Sequence, residues 1–339
     1  MTAWELVAEN QIYITEGVTC ESLRCCPGLM VLNPIAPEVS LKDFLDRNKA
    51  RIESALHFSG AILFRGFPLA SPERFLEVVK SWADGTLPYT YRSTPRSEVL
   101  PDLYTSTEYP ASLAIQQHNE HSYTNSWPKE LWFYCKEDRF SGGETPIADS
   151  RLVYNNINMN VRARFENRNL LYIRNYSDLL DLPWQQVFQT QSRADVERYC
   201  DLNNISFSWQ SNNGLQTTQI APSTIDHPVT GERLWFNQAH LFHHSGGDPE
   251  LKSMLENIGM RLPRNVVFEN GTEIDGVDLD CIREAYTKSK QSFQWKKGDV
   301  LLLDNMLMTH GRNPYSGSRK ILVAMTTEVR SSCHKQEKN

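Results

Sequence analysis

Clustered basic residues are missing from this 339-residue chain: 35 Lys and Arg stand against 41 Asp and Glu, for a formal net charge of −6 and a pI near 5.9. That balance offers no electrostatic footprint for nucleic acid or an anionic membrane, so neither is expected as a partner. Long apolar runs are missing too. No stretch approaches the ~20 apolar residues of a membrane span, and Met1-Thr2-Ala3-Trp4-Glu5-Leu6 has neither the basic lead nor the apolar region of a signal peptide. A cytoplasmic location is expected. Paired cysteines are also lacking: Cys20, Cys25, Cys26, Cys135, Cys200, Cys281 and Cys333 form an odd, irregular set without a CxxC. This argues against a disulfide framework and a cysteine zinc site, and for reduced thiols. Neither GxGxxG nor GxxxxGK[ST] occurs, which removes the cheapest support for a nucleotide fold, and there is no internal repeat or low-complexity tract.

What is present is a series of short strands with helices between them. Leu41, Phe44, Leu45, Ile52 and Leu56 fall at helical spacing within 37–56, and Gly60-Ala61-Ile62-Leu63-Phe64-Arg65-Gly66-Phe67 reads as a buried strand between glycines. Pro72 to Trp82 reads as a helix with Ser71 as its N-cap. A long loop rich in Thr, Ser, Pro and Tyr covers 88–110, Gly142-Gly143 makes a turn, and Glu144 to Asp149 forms a short strand. Residues 150–204 read as largely helical, and Asp248 to Leu262 as a further helix. Strand signals return at Ile205–Trp209, Leu234–Phe236, Phe293–Trp295, Val300–Leu303 and Ile321–Thr327. Strands at both ends with helices inserted fit a mainly β chain, a jelly roll or double-stranded β-helix, better than a βαβ series. The expected organisation is one domain over 1–339, with a largely helical insert at about 150–204 and a further insert at about 237–290.

The chemistry-bearing feature is His118-Asn119-Glu120. In a strand, residues two apart share a face, so an imidazole and a carboxylate would stand side by side. A third ligand, His310, follows Gly298-Asp299-Val300-Leu301-Leu302-Leu303-Asp304-Asn305. Two histidines and one carboxylate match the set that binds Fe(II) and leaves open positions. A lone HxE triplet is weak, since strand histidines are more often packing groups. The later block His310-Gly311-Arg312-Asn313-Pro314-Tyr315-Ser316-Gly317-Ser318-Arg319, with a tight turn that returns an arginine to the metal's side, strengthens it. Among the other histidines, His121 is expected to pack behind the ligands, and His240, His243 and His244 to form a pocket wall or surface turn. His57 and His334 have no assigned task. Trp127, Trp132, Phe133, Tyr134 and Trp235 are expected in the core, with Tyr123 and Asn237 as substrate contacts.

Taken in order, Gly60 to Phe67, Thr107-Glu108-Tyr109-Pro110, His118-Asn119-Glu120-His121-Ser122-Tyr123, Gly142-Gly143-Glu144-Thr145, His227-Pro228-Val229-Thr230-Gly231-Glu232 and the block from His310 to Ala324 resemble the taurine dioxygenase-like Fe(II)/2-oxoglutarate-dependent oxygenases. The branch of nonribosomal-peptide and other natural-product pathways is the most similar. The resemblance implies that His118, Glu120 and His310 ligate iron and that Arg319 binds the distal carboxylate of 2-oxoglutarate, with Thr145 adding a hydroxyl. It implies a reaction with O2 that releases succinate and CO2 while hydroxylating an unactivated C–H bond. The substrate would be an amino acid or a derivative of one, free or tethered to a carrier protein. Halogenating relatives lack the carboxylate, so Glu120 favours hydroxylation, desaturation or cyclisation. The interval from His310 to Arg319 is shorter than in many relatives, and Arg312 is a rival for its role. Arg319 is preferred because Lys320-Ile321-Leu322-Val323-Ala324 continues as a strand, whereas Arg312 precedes the Pro314 turn. The competing readings are a catalytically silent jelly-roll binding protein and a cupin-like Zn or Mn enzyme that needs no 2-oxoglutarate.

Overall fold

A computed structural model describes residues 17–331 apart from 92–93, 95, 178–181, 212, 248 and 259. Cys333, His334 and the N-terminal segment read above lie outside the described residues. Two sheets form the jelly-roll core. The larger runs β1 (Val18–Leu23), β2 (Cys26–Pro34), β3 (Ala61–Phe64), β16 (Val300–Asp304), β7 (Ser126–Gly142), β18 (Tyr315–Arg330), β5 (Leu103–Thr105) and β4 (Glu98–Leu100). The smaller runs β15 (Gln291–Phe293), β8 (Thr145–Asp149), β17 (Met308–Arg312) and β6 (Ile115–His118).

Alternation along the strands decides what each face buries. Leu63, Phe133, Leu301, Leu303, Ile321 and Val323 point between the sheets, where they meet Ile147, Phe293 and Met308 of the smaller one. Ile62, Phe64, Trp132, Leu302, Leu322 and Ala324 point the other way, onto two helices. The first, Leu41–Ser59, is capped by Ser40, whose hydroxyl accepts from Asp43 N–H, and ends at Gly60 with φ 72°. The second, Pro72–Trp82, has Ser71 as its cap, accepting from Arg74 N–H, and buries Phe75, Leu76, Val78, Val79 and Trp82.

Between β8 and β15 the chain adds one further layer. Its sheet is β10 (Ser206–Trp209), β11 (Leu215–Pro222), β9 (Asn169–Tyr176) and β14 (Arg264–Phe268), and a hairpin joins β12 (Thr224–Asp226) to β13 (Arg233–Trp235). Helices at Ser150–Asn156, Met159–Phe165, Trp184–Phe188 and Arg193–Leu202 occupy the segment expected to be helical, but β9 runs through its middle. The signal for β9 is period two: Leu170, Tyr172, Arg174 and Tyr176 are buried in alternation. A buried arginine inside that pattern makes it read as polar surface, which hides the strand. No helix among the described residues is long and apolar enough to cross a membrane.

Candidate metal centre

His310 on β17 is the direct cross-strand partner of His118 on β6. Residues opposite one another in an antiparallel pair hold their side chains close, and the two imidazole centroids are 4.5 Å apart. Glu120 completes the group: each of the three offers a ligand atom, all within 4.8 Å of one another. The strand carrying His118 stops there, however, so Glu120 does not reach the site by strand alternation. It sits in a turn whose next residue, His121, is left-handed at φ 59°. The carboxylate converges because the chain curls, with Ser122 N–H bonding back to Asn119 O and Thr124 N–H to His121 O.

The imidazoles are in the form a metal needs. His118 Nδ1 lies 2.8 Å from the carbonyl of Gln116, which can only accept, so Nδ1 carries the proton and Nε2 keeps its lone pair. Burial holds His118 and His310 below the ordinary histidine range, so both are neutral. Burial alone would raise Glu120, but the charge of Arg96 foremost outweighs it and brings its pKa down to about 2. Arg96 is buried beside it, with one guanidinium nitrogen 2.6 Å from Glu120 Oε2 and the cation 4.3 Å from the Tyr89 ring centroid. Arg96 has no role in the sequence reading, because nothing in a Ser/Thr/Pro-rich loop marks which cation turns inward. Two neutral imidazoles and one carboxylate, partly enclosed by the Phe133 ring 5.3 Å from His310, fit a divalent iron and leave positions open for other ligands.

Arg319 and Thr145 stand where β18 and β8 meet the Gly142-Gly143 turn. Gly142 and Gly143 have φ of 75° and 67°, and a Cβ on Gly143 would lie 3.0 Å from Arg319 Cδ. A side chain there would therefore press on the arginine. Arg319 donates Nε–H to Gly143 O at 3.0 Å and makes no carboxylate ion pair among the described residues. Burial, followed by the repulsion of Arg312, brings its pKa down to about 10, so it remains charged at neutral pH. Arg312 is engaged differently. It donates to the carbonyls of Tyr109, Pro110 and Leu113 at 3.0, 2.7 and 2.8 Å. Thr145 Oγ1 accepts Trp295 Nε1–H at 2.8 Å, which leaves its hydroxyl proton to donate. A buried cation without a carboxylate suits a dianion that brings its own.

The remaining candidates fall into place around this centre. His121 packs behind the ligands, its Nε2 3.9 Å from Glu120 Oε1 and its ring stacked on Tyr89 at 5.8 Å. His240 donates Nε2–H to Gln117 O at 3.0 Å and stacks on Tyr286, while His243 and His244 lie at a short 3-10 turn. Tyr123 is buried with its hydroxyl on Tyr91 O, and Asn237 bonds the backbone of Ser223 and Ala239. Asn237 is thus engaged inside the insert, and Tyr123's hydroxyl is engaged by the carbonyl of Tyr91. A groove of about 1390 Å3 bounded by Trp127, Leu171, Phe207 and Ile220 touches none of the three ligands. A smaller cavity, about 280 Å3 and bounded by Tyr91, His121 and Tyr199, comes within one residue of Glu120.

The family model described as "Taurine catabolism dioxygenase TauD, TfdA family" matches residues 31–326. The chain belongs to that family. As a member it is an Fe(II)- and 2-oxoglutarate-dependent dioxygenase. The dapdiamide synthesis protein DdaC of Enterobacter agglomerans is 37% identical over 305 residues, 89% of this chain and 92% of that one. A clavaminate synthase-like protein of Arabidopsis thaliana is 29% identical over 85% of this chain and 89% of its own. Among solved structures, PvcB of Pseudomonas aeruginosa superposes with a TM-score of 0.57 at 13% identity, over 93% of this chain and 94% of that one. That likeness bears on the fold alone.

Proposed function

We propose that this dioxygenase hydroxylates an unactivated C–H bond of an amino acid or an amino-acid-derived intermediate in a natural-product pathway, with the substrate free or carried on a carrier protein. The observation that carries the reading is the convergence of half-buried His118 with buried Glu120 and His310 in one group whose imidazoles are neutral. The substrate class is supported by DdaC, named for dapdiamide synthesis, and by PvcB, described as an oxygenase of an isonitrile synthetic pathway. A cytoplasmic setting agrees with both substrate forms.

Bound at this centre, Fe(II) with 2-oxoglutarate would supply O2-dependent oxidative decarboxylation to succinate and CO2. His118, Glu120 and His310 would hold the metal. Arg319 takes the distal carboxylate of 2-oxoglutarate and the Thr145 hydroxyl donates to it. Arg312, already engaged by three carbonyls, serves the loop at 109–113. Glu120 stands where halogenating relatives lack a carboxylate, which favours hydroxylation.

The direct test adds Fe(II) and 2-oxoglutarate to the metal-free protein without oxygen and looks for the visible charge-transfer band of the chelate. Oxygen is then admitted with a panel of amino acids and carrier-bound aminoacyl groups, and succinate and product mass are read. A band followed by substrate-stimulated succinate and a product heavier by one oxygen is expected. No band and no succinate would overturn the reading in favour of a binding protein, and a chlorinated product in chloride buffer would overturn hydroxylation.

A further inference from the structure

A carboxylate ligand carried on a turn needs something outside the turn to fix it, because the strand that orients His118 has already ended. Asn305 performs that task. Its Oδ1 accepts Glu120 N–H at 2.7 Å, and its Nδ2 donates to Glu120 O and Pro128 O, each at 2.9 Å. One carboxamide therefore grips both backbone groups of the ligand residue. The carbonyl of Asn305 in turn accepts Asn119 Nδ2–H at 2.7 Å, and Gln238 Nε2–H closes on Asn119 O at 2.8 Å. Asn305 and Asn119 are both fully buried, so these bonds are not exchanged with water.

Asn305 is itself held by its neighbour. Asp304 Oδ1 accepts the N–H groups of Met306 and Leu307 at 2.9 and 3.1 Å, and Oδ2 lies 3.0 Å from His227 Nε2. His227 Nδ1 accepts from Val229 and Thr230 N–H, so the proton sits on Nε2 and is directed at Asp304. Both side chains are wholly buried. His227 belongs to the turn between β12 and β13, in the inserted layer.

We propose that Asn305 is a positioning residue for the metal ligand Glu120, and that the His227–Asp304 pair sets Asn305, which makes the β12–β13 hairpin of the insert a working part of the metal centre. The inference rests on the metal reading above. It goes beyond that reading in naming residues that never touch metal, cosubstrate or substrate. Outer partners that orient a ligand typically change metal affinity 10- to 100-fold when removed.

The experiment is titration of metal-free protein with Co(II), read by the visible d–d absorption of the bound ion and by thermal melting. Asn305→Ala and Asn305→Asp are expected to weaken Co(II) binding about 10- to 100-fold and to alter the band: Ala removes every side-chain contact, while Asp keeps the acceptor for Glu120 N–H but turns an oxygen onto the carbonyls of Glu120 and Pro128. His227→Gln is expected to weaken binding less, retaining a donor toward Asp304. Arg65→Met is the control: it breaks the Arg65–Asp299 pair at the other end of β16, 2.6 Å long and largely buried, and should lower melting without changing Co(II) affinity or spectrum. Should Asn305→Ala fail to fold, Asn305→Asp and His227→Gln decide. Wild-type affinity and spectrum in those variants, or an equal loss in Arg65→Met, would overturn the proposal. A wild-type protein that binds no Co(II) would instead overturn the metal reading, and the clamp with it.

Discussion

His118 and His310 face each other across adjacent antiparallel strands, with ring centroids 4.5 Å apart, although 192 positions separate them in sequence. Neither can hold a metal alone. Replacing either by Ala leaves one imidazole and one carboxylate, too few for the facial set. Each variant is expected to lose the anaerobic Fe(II)/2-oxoglutarate band while keeping its far-ultraviolet circular dichroism, because the strand register rests on backbone bonds. A variant that keeps the band at wild-type intensity would show that the ion sits elsewhere.

Arg319 and Arg312 separate by what their guanidinium groups already hold. Arg319→Met removes the cation proposed for the distal carboxylate. A buried carboxylate that loses its partner costs roughly 3 to 5 kcal/mol, so KM for 2-oxoglutarate should rise by at least about 100-fold. Arg312→Met instead orphans the carbonyls of Tyr109, Pro110 and Leu113 and should lower the melting temperature with a smaller effect on that KM. Succinate release against 2-oxoglutarate concentration, alongside melting curves, distinguishes the two. The reverse pattern would reassign the cosubstrate site to Arg312.

The parts of this site legible in sequence are those carried by periodic elements or by ordered resemblance. His310 follows the apolar run Val300–Leu303 and Arg319 precedes the apolar run Ile321–Met325, and the helix at Pro72–Trp82 begins at its Ser71 cap as the local residues dictate. Of the two grounds for Glu120, the family resemblance stands and the strand geometry does not. Two-residue strand spacing pointed to it, whereas a left-handed turn at His121 delivers it. Arg96 and Asn305 stayed hidden because their roles depend on where distant backbone arrives, and no local spacing encodes a clasp between positions 305 and 120. The strand β9 was missed because its inward face includes Arg174, a charge that reads as surface.

Burial holds His240 at a pKa of about 3, with its Nε2–H already on Gln117 O. An unfolded histidine titrates near 6.5, so between about pH 6.5 and 3 the unfolded chain binds a proton that the native site refuses. The sign follows: stability is complete above about pH 6.5 and falls as pH drops towards the folded value, at up to about 1.4 kcal/mol per pH unit for this group. His118, His121 and His310 are shifted in the same direction and add to the loss. Replacing His240 by Phe should flatten the dependence of the urea midpoint on pH between 4 and 6.5 in metal-free protein. Parallel curves for the two proteins would show that His240 takes up its proton without unfolding.

Arg96 and Glu120 form a pair in which both side chains are about 3% exposed and one nitrogen lies 2.6 Å from Oε2. Removing one member of a buried pair strands the other charge, at a cost of roughly 3 to 5 kcal/mol, whereas replacing both with apolar groups of similar size can be close to neutral. In metal-free protein, Arg96→Met and Glu120→Met should therefore each lower stability by several kcal/mol, and the double variant should lose much less than their sum. Urea unfolding of the four proteins at pH 7 closes the cycle. Additive losses would mean that the pair is not coupled and that Glu120 is held in its turn by backbone bonds alone. A strong coupling would establish that Arg96 carries the countercharge for the carboxylate until a metal ion shares it.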